Sequence, residues 1–293
     1  MVPVASTQTL QVDTGREMQG GQWQVLYLIE RLIAPTLVAP PTSPLFIAAR
    51  KKDIEARPLG GSWMRTNAVL IHAHDSSAHT MALFDRYQRF FNPMLRKLPL
   101  VVSRRVGFPS GRSILSRWKY RFAERYLAVS EYVAMQLRAA GVPDHKIRVV
   151  YDGIPIPPQS TPEPGRVVAV PSKFKDIGIP VHLTTNLFDD LRTASVFLYM
   201  SEMEGLGSAA IAAMAAGVPV VASGVGGLPE VVEHERTGLL VRDGDYASAV
   251  RRLLDNPSLA AELGAAGRER AIAKFSVEKM VESTLDAYNE ILR

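Results

Sequence analysis

The sequence contains no cysteine among its 293 residues. That absence removes disulfides, thiolate zinc sites, iron–sulfur clusters and a cysteine nucleophile together, and makes the cytosol the default compartment. A strong charge bias is also missing. The 34 Lys and Arg against 29 Asp and Glu leave +5, and 22% charged with 47% hydrophobic residues is a globular composition that does not by itself call for nucleic acid. No basic residue precedes the apolar positions of the N-terminal MVPVASTQTLQVDT, so a secretory leader is not expected. The longest uncharged run, Gly205 to Pro229, is broken by Gly217 and Pro219 and reads as a buried helix followed by a buried strand rather than a membrane span. At about 150 residues per domain, the length allows two medium domains, each with its own core.

Short β-rich runs alternate with helical patterns throughout, the signature of βα units around parallel sheets. The first half reads as strands at Thr9–Asp13, Thr36–Ala39, Val69–His72, Leu100–Ser103, Arg125–Val129 and Ile147–Tyr151. Between them lie helices at Gln22–Leu32, Pro44–Lys52, His79–Phe91 and Glu131–Ala140, with a glycine-rich loop, Thr14–Gly21, before the first helix. The Pro/Gly-rich stretch Asp152–Gly165 is the candidate linker. Beyond it come strands at Arg166–Val170, Val181–Leu183, Val196–Tyr199, Val218–Ala222 and Gly238–Val241, then two strongly helical segments, Pro257–Lys274 and Ser276–Leu292. The expected division is an N-terminal domain at 1–155, a C-terminal domain at 166–275 and a final helix at 276–293.

The most informative passage is SEMEGLGS (201–208), running into AAIAAMAAGVPVVASGVGGLPEVV and then RTGLLV (236–241). A Glu-Gly-x-Gly turn after a strand lets backbone approach a ligand closely, and the helix that follows offers its N-terminal amides to an anion. A second glycine turn, Gly224–Gly227, precedes another helix start. Two such turns after two parallel strands make a phosphate site at the carboxyl edge of a sheet. The alternative is that the glycines serve only tight βα turns.

These residues resemble the donor-binding half of GT-B glycosyltransferases, specifically the retaining family 4. Upstream, LAVS (127–130), AGVP (140–143), VYDGI (150–154), VLIHAHD (69–75) and the Gly15–Gly21 loop are similar to further family segments, so the likeness covers most of the chain. The resemblance implies two Rossmann-like α/β domains facing a cleft. It implies transfer of a hexose from a nucleotide-sugar to a saccharide or lipid-linked acceptor with retention, as in polysaccharide or lipopolysaccharide biosynthesis. No cofactor and no metal are expected, because helix dipoles and cationic side chains neutralise the leaving diphosphate.

Position by position, the resemblance makes Glu204 the catalytic glutamate and Gly205, Leu206, Gly207 and Ser208 the backbone that receives the diphosphate. Gly226, Gly227 and Glu230 fall in the next donor loop, and Gly20 and Gly21 in the N-domain loop on the other side. Two departures stand out. Eight residues after Glu204 the family has a second glutamate for the ribose, and here that position is Ala212. Loss of a carboxylate that received two hydroxyls costs about 1.5–3 kcal/mol of donor affinity. The C-terminal domain is also abbreviated between Val170 and Pro180, where the family carries a helix, a strand and two loops; Lys173 or Lys175 is left to supply a charge to the phosphates, or to be an ordinary exposed residue.

Arg105 lies about where relatives carry a histidine near the reacting sugar; it can stabilise phosphate but cannot act as a base, and the competing reading is a basic surface. In HAHD, His74, with His79 further on, is assigned to acceptor hydroxyls and His72 to the interior, ahead of a metal site. Arg104–Arg125 holds seven Lys/Arg against Glu124 with aromatics interleaved, which suggests an anionic membrane surface and a peripheral, cytoplasmic location, against a merely solvated helix. Ala212 and the shortened domain keep a second function in view, a catalytically degenerate GT-B protein that binds a sugar, a partner or a membrane. A dinucleotide oxidoreductase is excluded, because Gly15, Gly20 and Gly21 do not form G-x-G-x-x-G.

Overall fold

The computed structural model describes residues 8–60, 67–91, 97–107, 119–172 and 174–293. The chain packs as two units, one of Met1–Val129, Val133–Val150 and Met280–Arg293, the other of Ser130–Tyr132 and Tyr151–Lys279.

In the first unit β1 (Thr9–Val12), β2 (Pro35–Ala39), β3 (Glu55–Pro58), β4 (Leu70–Ala73), β5 (Leu100–Arg104), β6 (Arg125–Ala128) and β7 (Ile147–Val149) form a parallel sheet in the order β3-β2-β1-β4-β5-β6-β7. The apolar runs of β1, β2 and β4 are buried along their whole length, as strands covered on both faces require. Chain order reverses between β1 and β4, so ligands are expected at the carboxyl ends of those two strands. The helices are α1 (Gly20–Ile29), α2 (Pro44–Lys51), α3 (Ser76–Phe91), α4 (Glu131–Ala139) from Val133 onward and α10 (Val277–Leu292) from Met280 onward. Two boundaries differ from the sequence reading. α1 starts at Gly20, because the Gln19 N–H donates to Gln22 Oε1 at 3.3 Å and draws both glycines into the first turn instead of a loop. β3 was not anticipated: EARP is a half-exposed edge strand with no apolar pattern to reveal it.

In the second unit β8 (Val167–Ala169), β9 (His182–Leu183), β10 (Val196–Tyr199), β11 (Val220–Ser223) and β12 (Leu239–Val241) form a second parallel sheet, ordered β12-β11-β10-β8-β9. Its helices are α5 (Leu187–Asp190), α6 (Ser208–Ala215), α7 (Leu228–Val231), α8 (Tyr246–Leu254) and α9 (Pro257–Phe275). The connection from β8 to β9 carries no helix among its described residues, which is the abbreviation expected from sequence. The short edge strand β9 is held instead by Asp190, which accepts from Thr184 Oγ1 at 2.6 Å and pairs with Arg166 at 2.8 Å and His182 at 2.9 Å.

Residues Ala210–Ala215 of α6 are all buried, and α9 crosses the end of that helix through glycine. A Cβ at Gly264 would lie 2.3 Å from the Gly217 carbonyl oxygen, so only glycine permits the approach. The Gly205–Pro229 run is therefore buried helix and strand, and among the described residues no helix is long and apolar enough to cross a membrane. The Pro/Gly-rich stretch is not a free linker: Ser160 N–H donates to the Ala216 carbonyl and Thr161 N–H to that of Arg192, both at 2.8 Å, strapping it to the second unit.

Candidate functional site

The carboxyl edge of the second sheet is formed by the loop after β10, residues 201–207, and the turn after β11, residues 224–227. These interlock. A Cβ at Gly226, where φ is +59°, would sit 2.1 Å from the Glu204 carbonyl oxygen, and one at Gly227 would sit 2.2 Å from that of Gly205. The Gly227 N–H instead donates to the Glu204 carbonyl at 3.1 Å. Ser201 N–H donates to Ser223 Oγ at 2.7 Å, and Ser130 Oγ donates to the Gly205 carbonyl at 2.6 Å, so the loop is tied on both sides. Leu206 is buried, Gly207 in a left-handed conformation caps α6, and Ser208 opens that helix with no acidic residue in its first turn. Amides and dipole are thus aimed at the loop's ligand side, as an anion requires.

Glu204 does not hang free from this loop. Its Oε2 accepts from the Tyr199 hydroxyl at 2.6 Å and its Oε1 from the Gly205 N–H at 3.0 Å. Burial, and then the neighbouring carboxylate, push the Tyr199 phenol far above its ordinary range, so it remains a donor. Lys175 comes within 3.5 Å of Glu202, an exposed pair that brings the β8–β9 connection beside the loop after β10. Lys173 lies outside the described residues. Ala212 is enclosed in α6.

Glu230 requires a correction. Its carboxylate accepts from the N–H groups of Glu131 at 2.7 Å and Tyr132 at 2.8 Å, and from the Tyr151 hydroxyl at 3.2 Å. It caps the start of α4, and the orphan amides of that helix claim the charge that the sequence reading assigned to the donor. The second helix start, α7, is a single turn that carries this same acid in place of an open anion site.

At the switch point of the first sheet stand Asp13, His74, Asp75, Arg105 and the first turn of α1. A Cβ at Gly21 would lie 3.9 Å from Arg105 Cδ, with open space at Gly20. Asp75 accepts from Thr14 N–H at 2.6 Å, Thr14 Oγ1 and Ser77 N–H at 2.8 Å, and Ala78 N–H at 2.9 Å. It caps α3, which therefore begins three residues before the predicted His79. Asp13 accepts from Gly15 N–H at 2.9 Å and Gln22 Nε2 at 3.2 Å; burial raises its carboxyl above the usual range, with Asp75 adding to the effect.

The imidazoles lie inside. His72 meets the Tyr288 hydroxyl at 2.6 Å and Ser103 Oγ at 2.8 Å. His74 meets Gln11 Oε1 at 2.8 Å, and the Gln11 amide donates to Thr9 Oγ1 at 2.9 Å and the Tyr288 hydroxyl at 3.4 Å. His79 is packed against Tyr120 and Tyr126. With 5% of His74 and 2% of His79 exposed, neither ring is open to an acceptor as the sequence reading had it. Burial holds His72 and His74 well below the ordinary histidine range, with Arg105 adding to it, and brings His79 down to about 3. Arg105 is thus a half-buried neighbour of this cluster rather than part of a solvated surface. Of the basic run, Lys119 bonds Ser76 and Thr80, Arg125 pairs with Glu290 at 3.0 Å, and residues 108–118 lie outside the described residues.

Two parallel α/β units, one ending in interlocked glycine turns around a fixed glutamate, define a GT-B glycosyltransferase architecture. The Anabaena protein HepE, solved in complex with UDP and glucose, has the same fold, with a TM-score of 0.78 at 15% identity over 97% of this chain and all of that one. Residues 20–156 match the Glycosyltransferase Family 4 model and residues 183–270 the Glycosyl transferases group 1 model. The chain thus carries a Glycosyltransferase Family 4 domain followed by a Glycosyl transferases group 1 domain. A segment of 122 residues is 41% identical to alpha-maltose-1-phosphate synthase of Mycolicibacterium smegmatis, covering 39% of this chain and 31% of that protein. Another, of 110 residues, is 40% identical to D-inositol 3-phosphate glycosyltransferase of Streptomyces avermitilis, covering 36% and 24%. The matched segments thus span less than a third of those relatives' length. Between the two family matches lie residues 157–182, which hold β8 and both candidate lysines.

Proposed function

We propose that the protein transfers a hexose from a nucleotide-sugar to a hydroxyl of a saccharide or lipid-linked acceptor, with retention of configuration. The observation that carries this reading is the pair of interlocked glycine turns presenting Glu204 beside the N-terminus of α6. In this reading the amides of Gly207 and Ser208 and the dipole of α6 meet the charge developing on the departing diphosphate, with Lys175 adding to it. Such a site needs no metal. Glu204 addresses the donor sugar, and Arg105, beside Gly21, stabilises anionic charge on the acceptor side. The HepE structures with UDP and glucose and with UDP-glucose support a sugar nucleotide as donor, and the name of the Streptomyces relative supports glycosyl transfer. Action at the cytoplasmic face of a membrane belongs to the same proposal, with the Arg104–Arg125 run as the contact.

Mass-detected transfer or hydrolysis with a panel of UDP-, GDP- and ADP-sugars tests the reading. Glu204→Ala is expected to abolish sugar transfer while the circular dichroism spectrum stays unchanged; full activity in that variant would remove Glu204 from the site. A second reading, a degenerate GT-B module that binds without turnover, is favoured by Ala212 and the shortened β8–β9 connection, and binding of a donor without its consumption would establish it.

A further inference from the structure

The motif's second carboxylate is absent, since Ala212 occupies its position, so whatever the first one does, it does alone. An ionised carboxylate has about four lone-pair directions. Two of those on Glu204 are already used within the protein, one by the Tyr199 hydroxyl and one by the Gly205 N–H. The Tyr199 contact is short, as a hydroxyl bonded to a carboxylate should be. Tyr199 is also well placed to hold something else still. It ends β10, where it pairs with Ala222 of β11, and its ring stacks on Phe197 with centroids 6.1 Å apart. Its edge borders Gly207, where a Cβ would lie 3.6 Å from Cε1. A rigid strand therefore holds the phenol, and the phenol holds the acid.

We propose that Tyr199 is a positioning residue that fixes Glu204 in one rotamer and leaves two lone-pair directions for a pair of adjacent hydroxyls on the donor sugar. The proposal rests on the glycosyltransferase reading above and narrows it to donors with a free vicinal diol. A glutamate ordered before the ligand arrives spends none of the binding energy on freezing its own torsions. In a chain that has lost the partner glutamate, this prior ordering offsets part of the lost affinity.

The test is calorimetry of UDP-glucose, GDP-mannose and ADP-glucose, each beside its free nucleoside diphosphate, with the wild type, Tyr199→Phe, Glu204→Gln and the double variant. Tyr199→Phe is expected to weaken the sugar nucleotide that binds by about tenfold and to leave the free diphosphate within about twofold. On the Glu204→Gln background it should add almost nothing, because the two side chains act as one unit. A merely structural role for Tyr199 would weaken both ligands alike or add in full to Glu204→Gln, and either result overturns the proposal. Unchanged binding in Tyr199→Phe overturns it too, with the glycosyltransferase reading left standing. If no sugar nucleotide or diphosphate binds the wild type, both fall together.

Discussion

At the carboxyl edge of the first sheet the groups that face the loops belong to side chains, Asp13, Asp75 and Arg105. At the edge of the second they belong mainly to backbone, the peptide groups of Glu204–Gly207 and Gly224–Gly227. In the proposed function the backbone edge grips what all activated donors share, a diphosphate, and is insensitive to which nucleotide is attached. A side-chain edge can be altered residue by residue, which suits the acceptor side that the proposed function gives it. The same contrast separates their vulnerabilities: one edge cannot tolerate an added carbon, the other cannot tolerate an added proton.

The sharpest way to break this contrast is Gly227→Ala. Its Cβ would have to share space with the Gly205 carbonyl oxygen, so the two turns must part, at a cost of about 3 kcal/mol in denaturant unfolding and with loss of diphosphate binding. An unshifted midpoint would show that the turns are not interlocked. That loss should be the same at pH 7 and pH 5.

The first unit should behave in the opposite way. His79 titrates near 3 in the fold, against about 6.5 when unfolded. The unfolded chain therefore binds the extra proton first, and stability is lost as pH falls below the unfolded value. Between pH 7 and pH 5 this single group removes about 2 kcal/mol, with His72 and His74 acting in the same direction. His79→Gln should flatten the pH dependence by that amount; an equal slope in wild type and variant would argue that the ring is solvated.

The smallest effect concerns Glu230, the side-chain exception on the backbone edge. Glu230→Gln keeps one acceptor oxygen for the start of α4 but loses the charge, and is expected to lower stability by about 1 kcal/mol while diphosphate affinity stays the same. A loss of diphosphate affinity would return Glu230 to the donor loop.

The contrast also explains what could be read from the residues alone. Eleven of the strands announce themselves as short apolar or β-branched runs, and the glycine turns are visible because glycine is required where peptides approach to about 2 Å of a missing Cβ. Glu204 follows from the family resemblance that the surrounding motif carries. The side-chain edge was harder to read, because polar residues at strand ends look alike whether they face a ligand or one another. His74 and His79 read from sequence as ligand contacts and are internal. Asp75, the last residue of HAHD, is a helix cap. Glu230 depends on amides 98 and 99 residues away, and no local pattern encodes that distance. Tyr199 passed as an ordinary aromatic of a buried strand, with nothing in its neighbours to mark the hydroxyl as important.

The Tyr288 hydroxyl bonds His72 and Gln11 inside the first unit, yet it lies 277 residues from Gln11 along the chain. Met280–Arg293 packs with that unit as well. During synthesis, therefore, Gln11 and His72 wait for Tyr288. Until Tyr288 emerges, His72 and Gln11 are buried polar groups short of a partner, while every residue of the second unit has already been made. The second unit is thus free to finish folding before the first, and α10 sets the moment at which β1 reaches its final environment.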